Sequence, residues 1–307
     1  MTNVFSVTSR DTLWVVADRR LSYGKGRKPR DDGMKILALE TDDGVGVLAY
    51  AGLGATPRGT HPSHWMSTVL RGRCGLTFEQ SLSVLMAAAN RELPRYLTAL
   101  PGGEHVIIAP AFIKGIGARL YSIENRPGPE KGQRWYRGAN WQRSDVSTSP
   151  SVRIAGAGSG SGWIPRNKDA AWHRALRSLV REHDRGKISD LGIADQLAVL
   201  NYEVHQALPG SVGPQCIVVW RRRPDARPRP PGGGHQFYTG LNRDQDSPLI
   251  PRISSGLDLQ AMGAIFLEEF RRVVTQPDFD FHTSDLGMDE ITRRIVALPD
   301  APEEKLR

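Results

Sequence analysis

Cysteine is scarce. Two cysteines in 307 residues, Cys74 and Cys216, give neither a disulfide framework nor the paired spacing of a zinc site. No window holds about 18 uninterrupted apolar residues, so no membrane-crossing helix is expected. The opening Met1-Thr-Asn-Val-Phe-Ser-Val lacks a basic stretch followed by an apolar one and does not read as a secretion signal. These absences together lead to the expectation of a cytoplasmic protein with no membrane association. The H-E-x-x-H pattern is missing too, although His61 and His64 stand three apart. So are the G-x-S-x-G elbow, the P-loop and G-x-G-x-x-G; the glycines at 156–162 fit none of them. No metal or organic cofactor is therefore implied. No internal repeat is visible.

Charged residues make up 24% of the chain and hydrophobic residues 39%, the profile of a globular protein. Net charge is +8. The basic residues are scattered, apart from Arg221-Arg222-Arg223 and the Arg/Pro stretch that follows. That scatter fits a solvated surface better than a nucleic-acid footprint, so nucleic acid is not the expected partner.

Periodicity divides the chain into elements. Val4–Thr8 and Thr12–Ala17 read as strands joined by the polar Arg10-Asp11. Residues 23–33, rich in Gly, Lys, Arg and Asp, read as a loop. Lys35–Glu40 and Val45–Ala51 form a second hairpin around Thr41-Asp42-Asp43-Gly44. Residues 62–72 are weakly helical. Thr77-Phe-Glu-Gln80 fits a capping box that opens a helix running to about Glu92. Strands are expected at His105–Phe112, Ala118–Ile123, Val152–Ala155 and Gln215–Trp220, and helices at Ala170–Glu182 and Ser189–Leu208. In the last helix Ile193, Leu197, Leu200 and Val204 line one face.

The order ββββ, αα, βββ, αα, β argues for an α+β fold with antiparallel sheets, since a doubly wound parallel sheet would alternate strand and helix. Two facing sheets with a helix pair on each outer face, a four-layer αββα sandwich, would bury these apolar surfaces. Residues 221–234 read as a basic Pro/Gly linker or mobile loop. The expected division is a main domain over 1–222 and, over 223–307, that linker and a C-terminal extension with helices at 257–274 and 287–298.

Thr2 is the first candidate for chemistry. Methionine aminopeptidases remove Met before a small residue, and removal would leave a threonine whose α-amine, with a reference pKa of about 7.7–8.0, can serve as base for its own hydroxyl. Many proteins begin Met-Thr, so the surroundings must decide. The hairpin after Thr2 ends in Val16-Ala17-Asp18-Arg19-Arg20, with Asp18 sixteen residues beyond Thr2. Lys35 opens the next strand as Met34-Lys35-Ile36, Ala51-Gly52 closes the fourth, and Ala157-Gly158-Ser159-Gly160 follows the strand at 152–155.

In these motifs and their spacing, residues 2–220 resemble the proteasome β-subunits and the related bacterial proteasome-like threonine peptidase, members of the N-terminal-nucleophile (Ntn) hydrolases. The resemblance implies a threonine-type endopeptidase acting through an acyl-enzyme ester. Thr2 would be the nucleophile. Lys35, as a cation, would lower the pKa of its hydroxyl, and Asp18 would hold Lys35 in place. The Gly52 N–H would serve as oxyanion donor, with Ser159 and Ser211 near the α-amine. It further implies peptide or unfolded-protein substrates, a homo-oligomer built as a ring or stacked rings, and an ATP-dependent unfoldase as partner.

One position departs from the family. Its Asp-x-x-Ser pattern is replaced by Leu208-Pro-Gly-Ser211, which puts a side chain with no hydrogen-bonding capacity at the acid position. A shifted loop would let Glu203 stand in; otherwise the chain would be a catalytically inactive scaffold or sensor with the same fold.

Overall fold

The computed structural model describes residues 2–21, 28–52, 61–93, 105–127, 134–141, 153–167, 170–225, 232–245, 248–277, 280 and 287–298. Residues 23–27 of the 23–33 loop and the linker stretch 226–231 lie outside them.

The chain opens with the expected hairpin. Strands β1 (Val4–Thr8) and β2 (Thr12–Asp18) pair antiparallel, Val4 opposite Ala17 and Thr8 opposite Leu13. Ser9 closes the turn, its Oγ accepting the Thr12 N–H at 3.0 Å. Every residue of both strands is buried. The reason is that each face packs against a different core. Val4, Leu13, Val15 and Ala17 join one cluster, while Phe5, Val7, Trp14 and Val16 join another. Continuous apolar runs, rather than alternation with polar residues, are what such doubly covered strands require.

Strands β3 (Ile36–Glu40), β4 (Gly44–Ala51), β5 (Val106–Ile113), β6 (Gly117–Pro127) and β7 (Arg134–Trp141) continue as an antiparallel meander. After β8 (Arg153–Ala157) and a run of helices come β9 (Gln215–Arg222), β10 (Gly233–Thr239), β11 (Asn242–Arg243), β12 (Arg252–Ser254) and β13 (Leu257–Asp258). They form two sheets, one ordered β11-β10-β9-β2-β1-β8 and the other β13-β12-β3-β4-β5-β6-β7. All neighbours are antiparallel except β12 and β3.

Seven α-helices are found among the described residues. They are α1 (Pro62–Leu70), α2 (Phe78–Glu92), α3 (Gly158–Asn167), α4 (Ala170–Asp184), α5 (Asp190–Ala207), α6 (Leu259–Val274) and α7 (Met288–Val296). The architecture is thus mixed α+β with two largely antiparallel sheets. Thr77 and Gln80 make both bonds of the capping box at α2, and Ser189 caps α5 through the Gly192 N–H.

The hydrophobic core has three parts. One takes Val4, Val15, Ile217 and Phe237 from the first sheet and Ile36, Val47, Ile108 and Phe112 from the second, so the sheets pack on each other. A second sets Leu37, Leu48 and Tyr50 against Trp65, Met66, Leu82 and Leu85 of α1 and α2. The third sets Phe5, Trp14 and Val218 against Ile164, Leu176, Val180, Ile193 and Leu197 of α3, α4 and α5. No helix among the described residues is long and apolar enough to cross a membrane.

Several elements differ from the sequence expectation, among them the short strands β11, β12 and β13, which were not foreseen. Strand β7 was not foreseen, because Arg134–Trp141 alternates too weakly to signal a strand. Helix α3 was not foreseen either: three glycines and Pro165 disfavour a helix on propensity, and tertiary packing overrides that. The linker expected over 221–234 is shorter at both ends. Arg221 and Arg222 finish β9, and Gly233 and Gly234 begin β10, which lies between β9 and β11. These glycines are there for room. A Cβ on Gly233 would sit 2.2 Å from the Trp220 carbonyl, and one on Gly234 would sit 2.4 Å from the Trp220 ring.

Candidate active site

The first hairpin brings Thr2 to Asp18. Thr2 stands two residues before β1 and Asp18 ends β2, so the register that pairs Val4 with Ala17 sets Asn3 opposite Asp18. The Asp18 N–H donates to the Asn3 carbonyl at 2.9 Å, and the Asn3 N–H donates to Asp18 Oδ1 at 2.7 Å. Lys35 arrives from the other sheet, one residue before β3. Its Nζ donates to Thr2 Oγ1 at 3.1 Å and to Asp18 Oδ1 at 3.0 Å. All three side chains are shielded from water: Asp18 is fully buried, and Thr2 and Lys35 are each 2% exposed.

An ion pair this deep needs more than its own attraction to offset desolvation. Asp18 has it. Besides Lys35 and Asn3, its carboxylate accepts the N–H of Arg20 at 3.0 Å and of Gly213 at 3.2 Å. Lys35 is less well provided. Burial pulls its ammonium below the ordinary lysine value, and the neighbouring Asp18 carboxylate works against that pull. The proton on Lys35 is therefore loosened while its nitrogen lies within hydrogen-bond reach of a threonine hydroxyl.

The start of α3 wraps the Thr2 backbone. The Gly160 N–H donates to the Thr2 carbonyl at 3.2 Å. Gly158 has φ +88°, and a Cβ there would lie 2.2 Å from the Thr2 carbonyl oxygen. Only glycine meets both demands. Gly158→Ala is expected to destabilise the chain by more than about 1 kcal/mol and to displace Thr2. Chemical denaturation would show the first effect and loss of chemical shift identity at Thr2 the second.

The remaining expected site residues stand at varying distance from this centre. Ser159 lies between those two glycines, half-buried, and its Oγ is buried with no hydrogen-bond partner among the described residues. Gly52 follows β4 with φ +128°, next to the backbone that holds Lys35: the Tyr50 N–H donates to the Lys35 carbonyl at 2.9 Å. Ser211 sits in the turn after α5, its N–H on the Leu208 carbonyl, and Gly213 of that same turn reaches Asp18. Leu208 ends α5 and packs against the third core cluster, so an aliphatic side chain suits its position. His61 accepts the Met34 N–H and stacks on His64, and no group of three metal-ligating side chains occurs among the described residues.

Sequence reasoning missed four participants. Asn3 and Asn201, both fully buried, are joined side chain to side chain at 2.9 Å. Arg20 holds Asp31 in a two-pronged bridge at 2.7 and 2.8 Å and donates to the Pro209 carbonyl. Asp31 Oδ1 occupies the space a Cβ on Gly213 would need, 2.7 Å away. Asp31 thus puts a carboxylate beside the turn that carries Leu208, from a loop whose polar composition gave no sign of it. Arg20 was legible only as the second arginine of the Asp18-Arg19-Arg20 run.

No protein-family profile matches the chain, and no curated protein matches it. Among solved structures it is similar to Anbu (ancestral beta-subunit) from Yersinia bercovieri, at 16% identity and a TM-score of 0.42 over 71% of this chain and 82% of that one. It is similar also to the helical assembly of the Anbu complex from Pseudomonas aeruginosa, at 16% identity and a TM-score of 0.43 over 98% of both chains. Anbu from Hyphomicrobium sp. strain MC1 matches at 14% identity and a TM-score of 0.40, over 90% of this chain and 99% of that one.

Proposed function

We propose that this chain is an N-terminal threonine peptidase with the αββα layering of an Ntn hydrolase, acting within a homo-oligomer. The observation that carries this reading is the buried triad in which Lys35 Nζ bridges Thr2 Oγ1 and Asp18 Oδ1 at 3.1 and 3.0 Å. The three core clusters support the layering, since they place helices against the outer face of each sheet.

In this reading Met1 is removed and Thr2 carries a free α-amine. Thr2 Oγ attacks the scissile carbonyl carbon, and its proton passes to the α-amine or to Lys35. The C–N bond breaks as the leaving amine takes that proton. An ester on Thr2 remains, and water hydrolyses it to release the acid. Lys35 stabilises the negative charge that develops on the attacking oxygen, and Asp18 positions Lys35. The Gly52 N–H faces the oxyanion. A free α-amine would also supply the partner that the buried Ser159 hydroxyl lacks among the described residues.

Two observations favour a second reading, an inactive scaffold: Leu208 at the acid position, and a Thr2 side chain only 2% exposed. One experiment separates them. Protein isolated from its native cytoplasm is treated with a peptide epoxyketone, which requires both the threonine hydroxyl and its free amine, and analysed by intact mass and peptide mapping. The expected result is a chain starting at Thr2 and labelled there, with no label on Thr2→Ala. Retained Met1 and no label would establish the scaffold.

A further inference from the structure

The inter-sheet core ends in charge at the end remote from Thr2. Along β9, Ile217 and Val219 face the cluster shared by the two sheets, and strand alternation sends Arg221 the same way. Along β3, Ile36 and Ala38 face that cluster, and Glu40 continues the series. In β12, Ile253 packs with the α1 and α2 cluster instead, which turns its neighbour Arg252 toward the inter-sheet side. Arg221 lies opposite Leu13, whereas Asp18 lies opposite Cys216. Five strand residues separate these levels, roughly 16 Å, so this cluster is distinct from the triad.

The charges do not balance. Arg252 Nη2 donates to Glu40 Oε2 at 2.6 Å, but Arg252 Nε is buried without a partner among the described residues. Arg221 is 6% exposed and makes no side-chain hydrogen bond among the described residues. Glu40 is bonded to Arg252 alone and acts on Arg221 only at longer range. Burial, and then the nearby Arg252 charge, push Arg221 down to about 10, with Glu40 opposing. A guanidinium carries five donors, and those of Arg221 have no protein partner among the described residues in a side chain only 6% exposed. The position is nevertheless a built one. A Cβ on residue 233 would stand 2.8 Å from Arg221 Cδ and 3.1 Å from its Nη1, so Gly233 makes room for this side chain. The way in is open, because the side chains of Arg252 and Glu40 are 38% and 41% exposed.

We propose that Arg221 and Arg252 form a binding site for a small oxyanion, of the phosphate class, that takes up the unused donors of both guanidiniums at the end of the inter-sheet core. Two planar forks arriving from different sheets suit a tetrahedral anion with several acceptor oxygens, and guanidinium is the cation that binds such groups in a two-pronged way. A carboxylate offers the same chemistry with fewer oxygens. The inference does not depend on Thr2 or on any peptidase activity.

The test uses the full chain and inorganic phosphate in the low millimolar range, at constant ionic strength with chloride as the balancing anion. Thermal unfolding is read together with isothermal calorimetry. Wild type is expected to bind saturably and to gain about 5 °C in Tm. Arg221→Met is expected to lose the response, and without phosphate to be no less stable than wild type, because an unpaired buried charge has been removed. Arg252→Met, at a half-exposed position, supplies the same loss of response should Arg221→Met fold poorly. Acetate in place of phosphate distinguishes the two ligand chemistries, and a saturable response abolished by either substitution supports the site with either anion. No saturable binding to wild type, or an undiminished response in both variants, would overturn it.

Discussion

Asp18→Ala is expected to destabilise the chain by about 3–5 kcal/mol, the largest stability loss of any substitution at the site. Asp18 is the hub of the N-terminal hairpin. Its carboxylate accepts from Lys35 Nζ and from the backbone N–H groups of Asn3, Arg20 and Gly213. Alanine leaves two buried N–H donors and one part-buried N–H donor unsatisfied and strands Lys35 in a place 2% exposed to water. Lys35→Met should be far milder. It removes the cation that burial already disfavours, and it leaves the carboxylate its three backbone donors. The pair is thus asymmetric, and the Asp18→Ala/Lys35→Met double variant should recover part of the Asp18→Ala loss. Urea midpoints for the four proteins, with m-values checked for constancy, measure this. Equal losses from the two single variants would show that Asp18 serves only its ion pair.

How much of this was legible beforehand differs by element. The β1/β2 hairpin and α2 could be read because local signals and tertiary demand agree there: apolar β-branched runs around a polar turn, and a capping box that makes both of its bonds. Helix α3 and strand β10 could not, because their glycines serve close approach. Gly158 makes way for the Thr2 carbonyl, far away in sequence, and Gly233 for the Trp220 carbonyl across a strand pairing, and neither close approach leaves a trace in local propensity. The candidate site was legible only in part. Thr2, Asp18 and Lys35 were picked out through resemblance, and composition would have left Lys35 on a solvated strand end. The structure puts Lys35 within hydrogen-bond reach of both Thr2 and Asp18. The carboxylate beside the Leu208 turn was sought on α5 at Glu203. Asp31 also sets a carboxylate beside that turn, carried in by a loop and fixed by Arg20. Polar loops are written in a composition that says nothing of which side chain turns inward.

Lys35→Met is also the decisive test of the chemistry, for it should slow acylation of Thr2 by at least about 10³-fold while the chain stays folded. Two groups compete for the Thr2 proton once Met1 is gone, the α-amine and Lys35. If the α-amine alone sufficed, Lys35→Met would keep most of the rate. The geometry argues otherwise, since Lys35 Nζ already lies 3.1 Å from Thr2 Oγ1 and both side chains are only 2% exposed. The pH dependence follows from the direction in which burial moves Lys35. Its folded value lies below the ordinary 10.5, so between the two the unfolded chain holds the extra proton and stability rises with pH up to about 10.5. Lys35→Met should flatten that rise. In the same window the neutral amine becomes available, so acylation by wild type should climb with pH through a midpoint below the ordinary lysine value. Stopped-flow labelling across pH, run beside urea denaturation at each pH, reads both profiles. A rate that climbs identically in Lys35→Met would assign the base to the α-amine and leave Lys35 the task of holding the Thr2 oxygen.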